Sequence, residues 1–274
     1  MLFSIITINY NNKKGLQKTI ESVISQTCRA FEWIIIDGGS SDGSKELIER
    51  YQDQIVYWCS ESDKGIYNAM NKGIAHAEGD YLIFMNSGDC FYEPSTLEKV
   101  SHTVLADDII YGDAMRMNEE SEVIWHSPHH IEKGFFYSGN ICHQAMFIRT
   151  SLLKEEGYDE SYELYGDWAR WLKIANGGGT FNHIPIIVCS YEMGGRSGNL
   201  QKGMIEYRKV INTFPISPCF EKILLKYKTD CYLIGVVKRR SLRKGMLLLD
   251  KIIKKQLINI YLLLNLCHHK NSND

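Results

Sequence analysis

The sequence predicts an α/β protein: a mostly parallel central sheet flanked by helices, followed by a helical C-terminal extension. Three observations carry that prediction. Over the first ninety residues, short apolar runs alternate with segments of helical spacing, as βαβ units require. The first run is apolar and rich in β-branched residues, which suits a parallel strand buried on both faces. Two further runs end in glycine-bearing acidic turns, at Asp37 and at Asn86-Ser87-Gly88-Asp89. Ligands of open α/β sheets bind outside the carboxyl ends of the strands, so these turns mark an expected nucleotide and metal site.

Taken in order, residues 3–9 form the first strand and Asn9-Tyr10-Asn11-Asn12 stops it. A helix follows over 14–26 through Leu16, Ile20, Val23 and Ile24. The second strand is 31–36, with a helix opening near Asp42, and the third strand is about 54–59. Residues 65–77 are helical, with Ile66, Ala69, Met70, Gly73, Ile74 and Ala77 on one side. The fourth strand is 80–85. Glu93-Pro94-Ser95 starts a helix, with Pro94 suited to its first turn. Shorter strands are expected at 108–111, 123–126 and 144–148, a helix at 166–175, and a strand at 180–191. A glycine-rich loop, 193–198, and basic helices over 199–268 complete the chain.

The chain has 274 residues, enough to bury a full core, with 44% hydrophobic and 23% charged residues. Its net charge of −2 hides an asymmetry. From Gln201 onward there are 15 Lys/Arg against 5 Asp/Glu, a balance of +10, which leaves −12 for residues 1–200. The expected division is therefore a catalytic domain over 1–200 and a basic extension over 201–274. Such a tail points to an anionic membrane surface, though a helical subdomain packed on the core fits it equally. No nucleic-acid partner is expected. The eight cysteines are scattered with no CxxC pair, which argues against zinc. The N-terminus lacks a basic region before its apolar run, and no stretch approaches the roughly 20 apolar residues of a spanning helix. A cytoplasmic protein, peripheral at the inner membrane face, is the expectation. His126, His129 and His130 match no metal-site spacing and read as a solvated loop.

Asp37 at a strand end either accepts an N–H from a pyrimidine base or belongs to a plain turn, with Asp42 capping the next helix. Four ordered segments decide between these: Asn9-Tyr10-Asn11; residues 35–44 with Asp37-Gly38-Gly39-Ser40-Ser41-Asp42; residues 61–74 with Asp63 and Asn71; and Asn86-Ser87-Gly88-Asp89. Together they resemble a family 2 glycosyltransferase with the Rossmann-like GT-A fold, of the bacterial exopolysaccharide, capsule or O-antigen type, over roughly residues 2–200. The resemblance implies that Asp37 and Asp63 contact base and ribose, with Asn9, Gly38 and Asn71 in the same pocket. It implies that Asp89 holds Mn²⁺ or Mg²⁺ on the donor diphosphate, with Asn86 and Gly88 beside it. Many relatives have aspartates where this chain has Asn86 and Gly88, and an arginine where it has Met70. Uridine is the base expected.

The segment Tyr162-Glu163-Leu164-Tyr165-Gly166-Asp167-Trp168 resembles the family's acidic motif at a helix start, with Gly166 replacing the first acidic residue. That match implies Asp167 as catalytic base, since direct displacement at an anomeric carbon needs the acceptor hydroxyl deprotonated. His143 lies in a segment that implies a contact with phosphate, metal or acceptor, or else an ordinary hydrogen-bonded histidine. Arg196, in the glycine loop, either pairs with phosphate oxygens or is a surface arginine. The implied activity is inverting transfer from a nucleotide sugar, a UDP-sugar first, to a polyprenyl-diphosphate-linked saccharide. A silent nucleotide-sugar-binding module is the alternative of another class. A sugar nucleotidyltransferase fits less well, because residues 9–15 supply no glycine-rich phosphate loop.

Overall fold

The computed structural model describes residues 2–103, 106–118, 121–132, 134–192 and 200–214. The expected loop at 193–198, with Arg196, and the basic tail beyond 214 lie outside the described residues. The first half alternates as expected: β1 (Phe3–Asn9), α1 (Lys13–Ile24), β2 (Phe31–Asp37), α2 (Ser44–Glu49), β3 (Tyr57–Ser60), α3 (Ile66–His76) and β4 (Tyr81–Phe84). Then follow β5 (Cys90–Phe91), α4 (Thr96–Ser101), β6 (Ile109–Asn118), β7 (Ser121–Trp125), α5 (Phe135–Ser138) and β8 (Met146–Arg149). The described chain ends with α6 (Thr150–Glu155), α7 (Gly166–Asn176), β9 (Phe181–Glu192) and α8 (Leu200–Thr213).

One nine-stranded sheet runs β3-β2-β1-β4-β8-β6-β9-β5, with β7 paired to β6. Strands β1 to β4 are parallel, β8 is antiparallel to both neighbours, and β6 and β9 are parallel. Alternate residues of each central strand feed opposite faces, which is why the runs are apolar throughout. Ile6 and Ile8, Ile34 and Ile36, and Leu82 and Phe84 pack with α3 and α7. Phe3 and Ile5, Trp33 and Ile35, and Tyr81 and Ile83 pack with α1, α2 and α4. Helix α8 buries Tyr207, Val210 and Ile211 in the first of these cores.

Several boundaries differ from expectation for local reasons. Residues 52–54 form a short 3-10 turn, so the third strand starts only at Tyr57. The carbonyl of Pro94 is held by Thr27 N–H at 2.8 Å, and α4 begins two residues later behind Ser95. Gly43 rather than Asp42 is the N-cap of α2, while Asp42, one residue earlier, accepts Ser44 N–H at 3.1 Å and Lys13 N–H at 2.8 Å. His126, His129 and His130 are exposed as expected, and His126 Nδ1 also lies 2.7 Å from the Asp113 carboxylate, which His183 Nε2 of β9 meets at 3.1 Å. Among the described residues, no helix is long and apolar enough to cross a membrane.

Candidate active site

A cleft of about 910 Å³ opens where β1, β2, β3 and β4 end. Its lining comes from Ile8 and Asn9 at the end of β1 with Tyr10 and Asn12 beyond it, Gly38 after β2, 62–66 after β3, Asn86 and Ser87 after β4, and a facing wall of Glu160 and 162–164. The parallel register sets this up, because Asn9 stands opposite Asp37 and Asp37 opposite Ser60. All three strands end level, and their polar terminal residues meet.

Asp37 is 0% exposed and forms the footing of the cleft rather than its surface. Its Oδ1 accepts from Asn9 Nδ2 at 2.7 Å and Ser40 Oγ at 2.6 Å. Its Oδ2 accepts from the Ser40 backbone N–H at 2.9 Å and Ser60 Oγ at 2.6 Å. Both oxygens are engaged within the chain, and Asp37 itself is not among the residues that line the cleft. Gly38 is the surface residue instead, tucked where a Cβ would stand 3.1 Å from both Asp63 Oδ2 and the Tyr10 ring. Asp63 pairs with Lys72 Nζ at 2.6 Å, and Lys72 also meets Glu61 at 2.7 Å. Burial alone would lower the lysine pKa, but these two carboxylates win and raise it.

Asn71 was also expected on the nucleotide, and the structure turns it away. Its amide donates to Tyr158 O at 2.9 Å and Glu160 Oε1 at 3.0 Å, while its Oδ1 accepts Tyr158 N–H at 2.8 Å. Asn68 Nδ2 holds the other Glu160 oxygen at 2.9 Å. The two asparagines thereby fix Glu160 in the cleft wall.

The second turn is braced from α1. Thr19, 0% exposed, donates to Asp89 O at 2.8 Å and accepts Gly88 N–H at 3.0 Å. Gly88 has φ +106°, a left-handed value that glycine alone adopts freely. Neither Gly88 nor Asp89 lines the cleft. Desolvation pushes the Asp89 carboxyl up to about 7, against hydrogen bonds from Gln144 and the turn backbone that pull it down. Among the described residues, no group of three His, Cys, Asp or Glu side chains is placed to hold a metal. However, Asn9 Oδ1, Asn86 Oδ1 and Ser87 Oγ are buried with no partner among the described residues, and all three residues line the cleft. One carboxylate with an orphaned amide oxygen in the same turn fits a hard divalent cation, which usually completes its shell with substrate phosphates and water.

Asp167 occupies the first turn of α7 and accepts Tyr67 Oη at 3.2 Å and Trp168 N–H at 2.8 Å. A side chain at Gly166 would place its Cβ 2.7 Å from the Tyr67 ring. The acidic residue that relatives have there is thus incompatible with the tyrosine that holds Asp167. Gly166→Ala is expected to displace Tyr67 and lower kcat about tenfold, with nucleotide affinity unchanged. Steady-state kinetics beside calorimetric titration with UDP checks this.

His143 stands behind the wall, outside the cleft lining. Its Nε2 lies 3.0 Å from Tyr158 Oη, and its ring packs on Phe84 and Trp171. Of the two readings the sequence left open, the structure has His143 in the arrangement of an ordinary hydrogen-bonded histidine. Burial holds the imidazole below its ordinary value of 6.5, partly offset by the charge of Asp167. The unfolded chain takes up this proton at higher pH than the folded chain, so stability falls as pH drops from about 6.5 through the folded value. His143→Gln is expected to flatten that part of the Tm profile between about pH 8 and 5.

The sequence reading missed Tyr10 and Glu160. Tyr10 is 58% exposed and lines the cleft beside Gly38, a flat apolar surface for a base. An aromatic interrupting the run of asparagines at 9–12 was its only signal.

Comparison with known proteins follows the same lines. The family model described as "Glycosyl transferase family 2" matches residues 4–169. A PGL/p-HBAD biosynthesis glycosyltransferase of Mycobacterium bovis is 29% identical over 208 residues, covering 73% of this chain and 80% of that protein. An uncharacterized glycosyltransferase of Mycobacterium tuberculosis is 36% identical over 178 residues, 63% of this chain and 68% of its own. Among solved structures, the mannosyltransferase PcManGT from Pyrobaculum calidifontis, in complex with GDP-Man and Mn²⁺, has a TM-score of 0.60 at 15% identity. That likeness covers 98% of this chain and 86% of PcManGT. Residues 1–349 of S. aureus TarS in complex with UDP-GlcNAc give 0.59 at 16% identity, covering 82% and 70%. At such identities the structural likeness establishes fold alone.

Proposed function

The chain belongs to glycosyl transferase family 2 and has the GT-A fold, and on that premise we propose that it transfers a hexose with inversion from a UDP-sugar to a saccharide hydroxyl. The acceptor is a polyprenyl-diphosphate-linked saccharide in bacterial surface polysaccharide assembly, of the O-antigen or capsule kind. The observation that carries this reading is Asp167, a carboxylate oriented by Tyr67 three residues beyond the cleft wall formed by Glu163 and Leu164.

Tyr10, Asn9, Gly38 and Asp63 receive the base and ribose at the β1–β3 end of the cleft, with Asp37 holding Asn9 and Ser40 in place. Both structural neighbours were solved with nucleoside-diphosphate sugars, which supports that donor class. Asn86 and Ser87 line the diphosphate end with Asp89 behind them in the same turn, and Asp89 would hold a divalent cation with Asn86 Oδ1 and phosphate oxygens as further donors. When bound, that cation supplies charge neutralisation on the leaving diphosphate, and the Mn²⁺ of the neighbour PcManGT agrees with the proposal.

The chain's own part is proton removal and alignment. The Asp167 carboxylate takes the acceptor O–H proton as the oxygen forms its bond to the anomeric carbon. The bond from that carbon to the diphosphate oxygen breaks on the opposite face, and its electron pair leaves with the nucleoside diphosphate. An α-linked donor therefore gives a β-linked product. The basic tail beyond residue 214 would hold the enzyme at an anionic membrane face, where a lipid-linked acceptor lies.

Incubation with a panel of UDP- and GDP-sugars, Mn²⁺ and a membrane lipid extract tests this. Saccharide extension with release of nucleoside diphosphate is expected, lost on chelation with EDTA and restored by Mn²⁺. Binding of the sugar nucleotides without extension in any combination contradicts it.

A further inference from the structure

The basic extension begins with α8, and that helix holds the part of the chain that carries the proposed base. Glu206 is 9% exposed, and its carboxylate accepts three consecutive backbone N–H groups. Oε1 takes Glu163 at 2.6 Å, and Oε2 takes Leu164 at 2.9 Å and Tyr165 at 2.8 Å. Three successive amides converging on one carboxylate fix the backbone of 163–165 in a single curl. These amides lie just before α7, whose own carbonyls do not reach them, and a buried N–H left unpaired is costly. One turn further along α8, Lys209 donates to Ser161 O at 3.0 Å and Ser161 Oγ at 2.6 Å, and stands 4.0 Å over the Tyr162 ring. Between them, the Tyr207 ring stacks on Trp168 at 5.3 Å and 5°.

The gripped segment does two jobs. Tyr162, Glu163 and Leu164 line the cleft, and Asp167 follows on the first turn of α7. Glu206 itself does not line the cleft, so its influence passes through the curl. The nucleotide half of the cleft is built from the ends of β1 to β4, and the bonds of Glu206 and Lys209 given above go to 161–165 instead. From this geometry we propose that Glu206 is a positioning residue that sets the acceptor-side wall and the approach of Asp167. Lys209 is its second fastening. The role rests on Asp167 acting as base, as proposed above.

Glu206→Gln keeps the size of the side chain but sets an NH₂ donor against backbone N–H donors. In the full chain, amide hydrogen exchange over 163–168 is expected to quicken about tenfold or more, with β1, β2 and β4 unchanged. With the donor found in the panel above, kcat falls about tenfold or more while UDP affinity stays within about threefold. Lys209→Met shifts both in the same direction, more weakly. Should Glu206→Gln not fold, Glu206→Asp takes its place, keeping the charge with a shorter reach and an intermediate loss of kcat. Wild-type exchange at 163–168 overturns the proposal. So does a loss of UDP affinity equal to the loss of kcat, which marks a general structural role. If the wild-type protein turns over no donor, the functional reading fails, and exchange at 163–168 alone decides whether Glu206 holds the curl.

Discussion

Asp167→Asn is expected to lower kcat by about 10²–10⁴-fold while leaving UDP affinity within about twofold. Asparagine keeps the shape and still accepts from Tyr67 Oη and Trp168 N–H, the two bonds that fix Asp167 in α7. What it loses is the capacity to take the acceptor proton. The substitution therefore separates chemistry from architecture, and a Tm within a few degrees of wild type would accompany the loss. Retained turnover would remove Asp167 from the role of base.

The second large effect is at Asp37, and it falls on the fold as well as the site. Its Oδ2 takes the Ser40 backbone N–H, a donor that cannot turn round, and its Oδ1 takes Asn9 Nδ2, from an amide whose own Oδ1 has no partner among the described residues. Each oxygen also takes one hydroxyl, from Ser40 and Ser60, that can turn round. Asp37→Asn therefore gives up a charged acceptor and either sets its NH₂ against the fixed Ser40 N–H or forces the Asn9 amide to turn over. Asp37→Ala removes every acceptor. Destabilisation on the order of 3–5 kcal/mol is expected for Asp37→Ala and nearly as much for Asp37→Asn, read from denaturant unfolding. Nucleotide binding should fall with stability in both, because Asn9 and Ser40 lose their support. A stable Asp37→Asn protein with intact nucleotide affinity would show that the buried network is not what shapes the cleft.

The parallel half of the fold was legible because its strands are apolar on both faces. The runs at 3–9, 31–36 and 80–85 could only be buried between two layers of helices, and the spacing at Leu16, Ile20 and Val23 named one of those layers. The second half was less legible for a physical reason. Strand β5 has two residues and α5 has four, lengths at which periodicity carries no signal and tertiary pairing decides.

The site divides in the same way. Residue type and position at strand ends located the cleft, since Asn9, Gly38, Asp63 and Asn86 all line it. Residue type could not tell a polar group that faces a ligand from one spent inside the chain. Asp37, Asn71 and His143 are of the second kind, each engaged by partners from distant segments such as Ser60 and Tyr158. Glu206 was hidden for the opposite reason. It is a single acid in a basic helix, and only the fold brings it to three amides forty residues upstream.

The central claim is direct displacement of the nucleoside diphosphate by an acceptor oxygen activated at Asp167. The anomeric configuration of the first product, determined by proton NMR on material made from an α-linked donor, tests it most directly. A β-glycoside is the predicted result, and an α-glycoside would contradict single-step inversion with Asp167 as base.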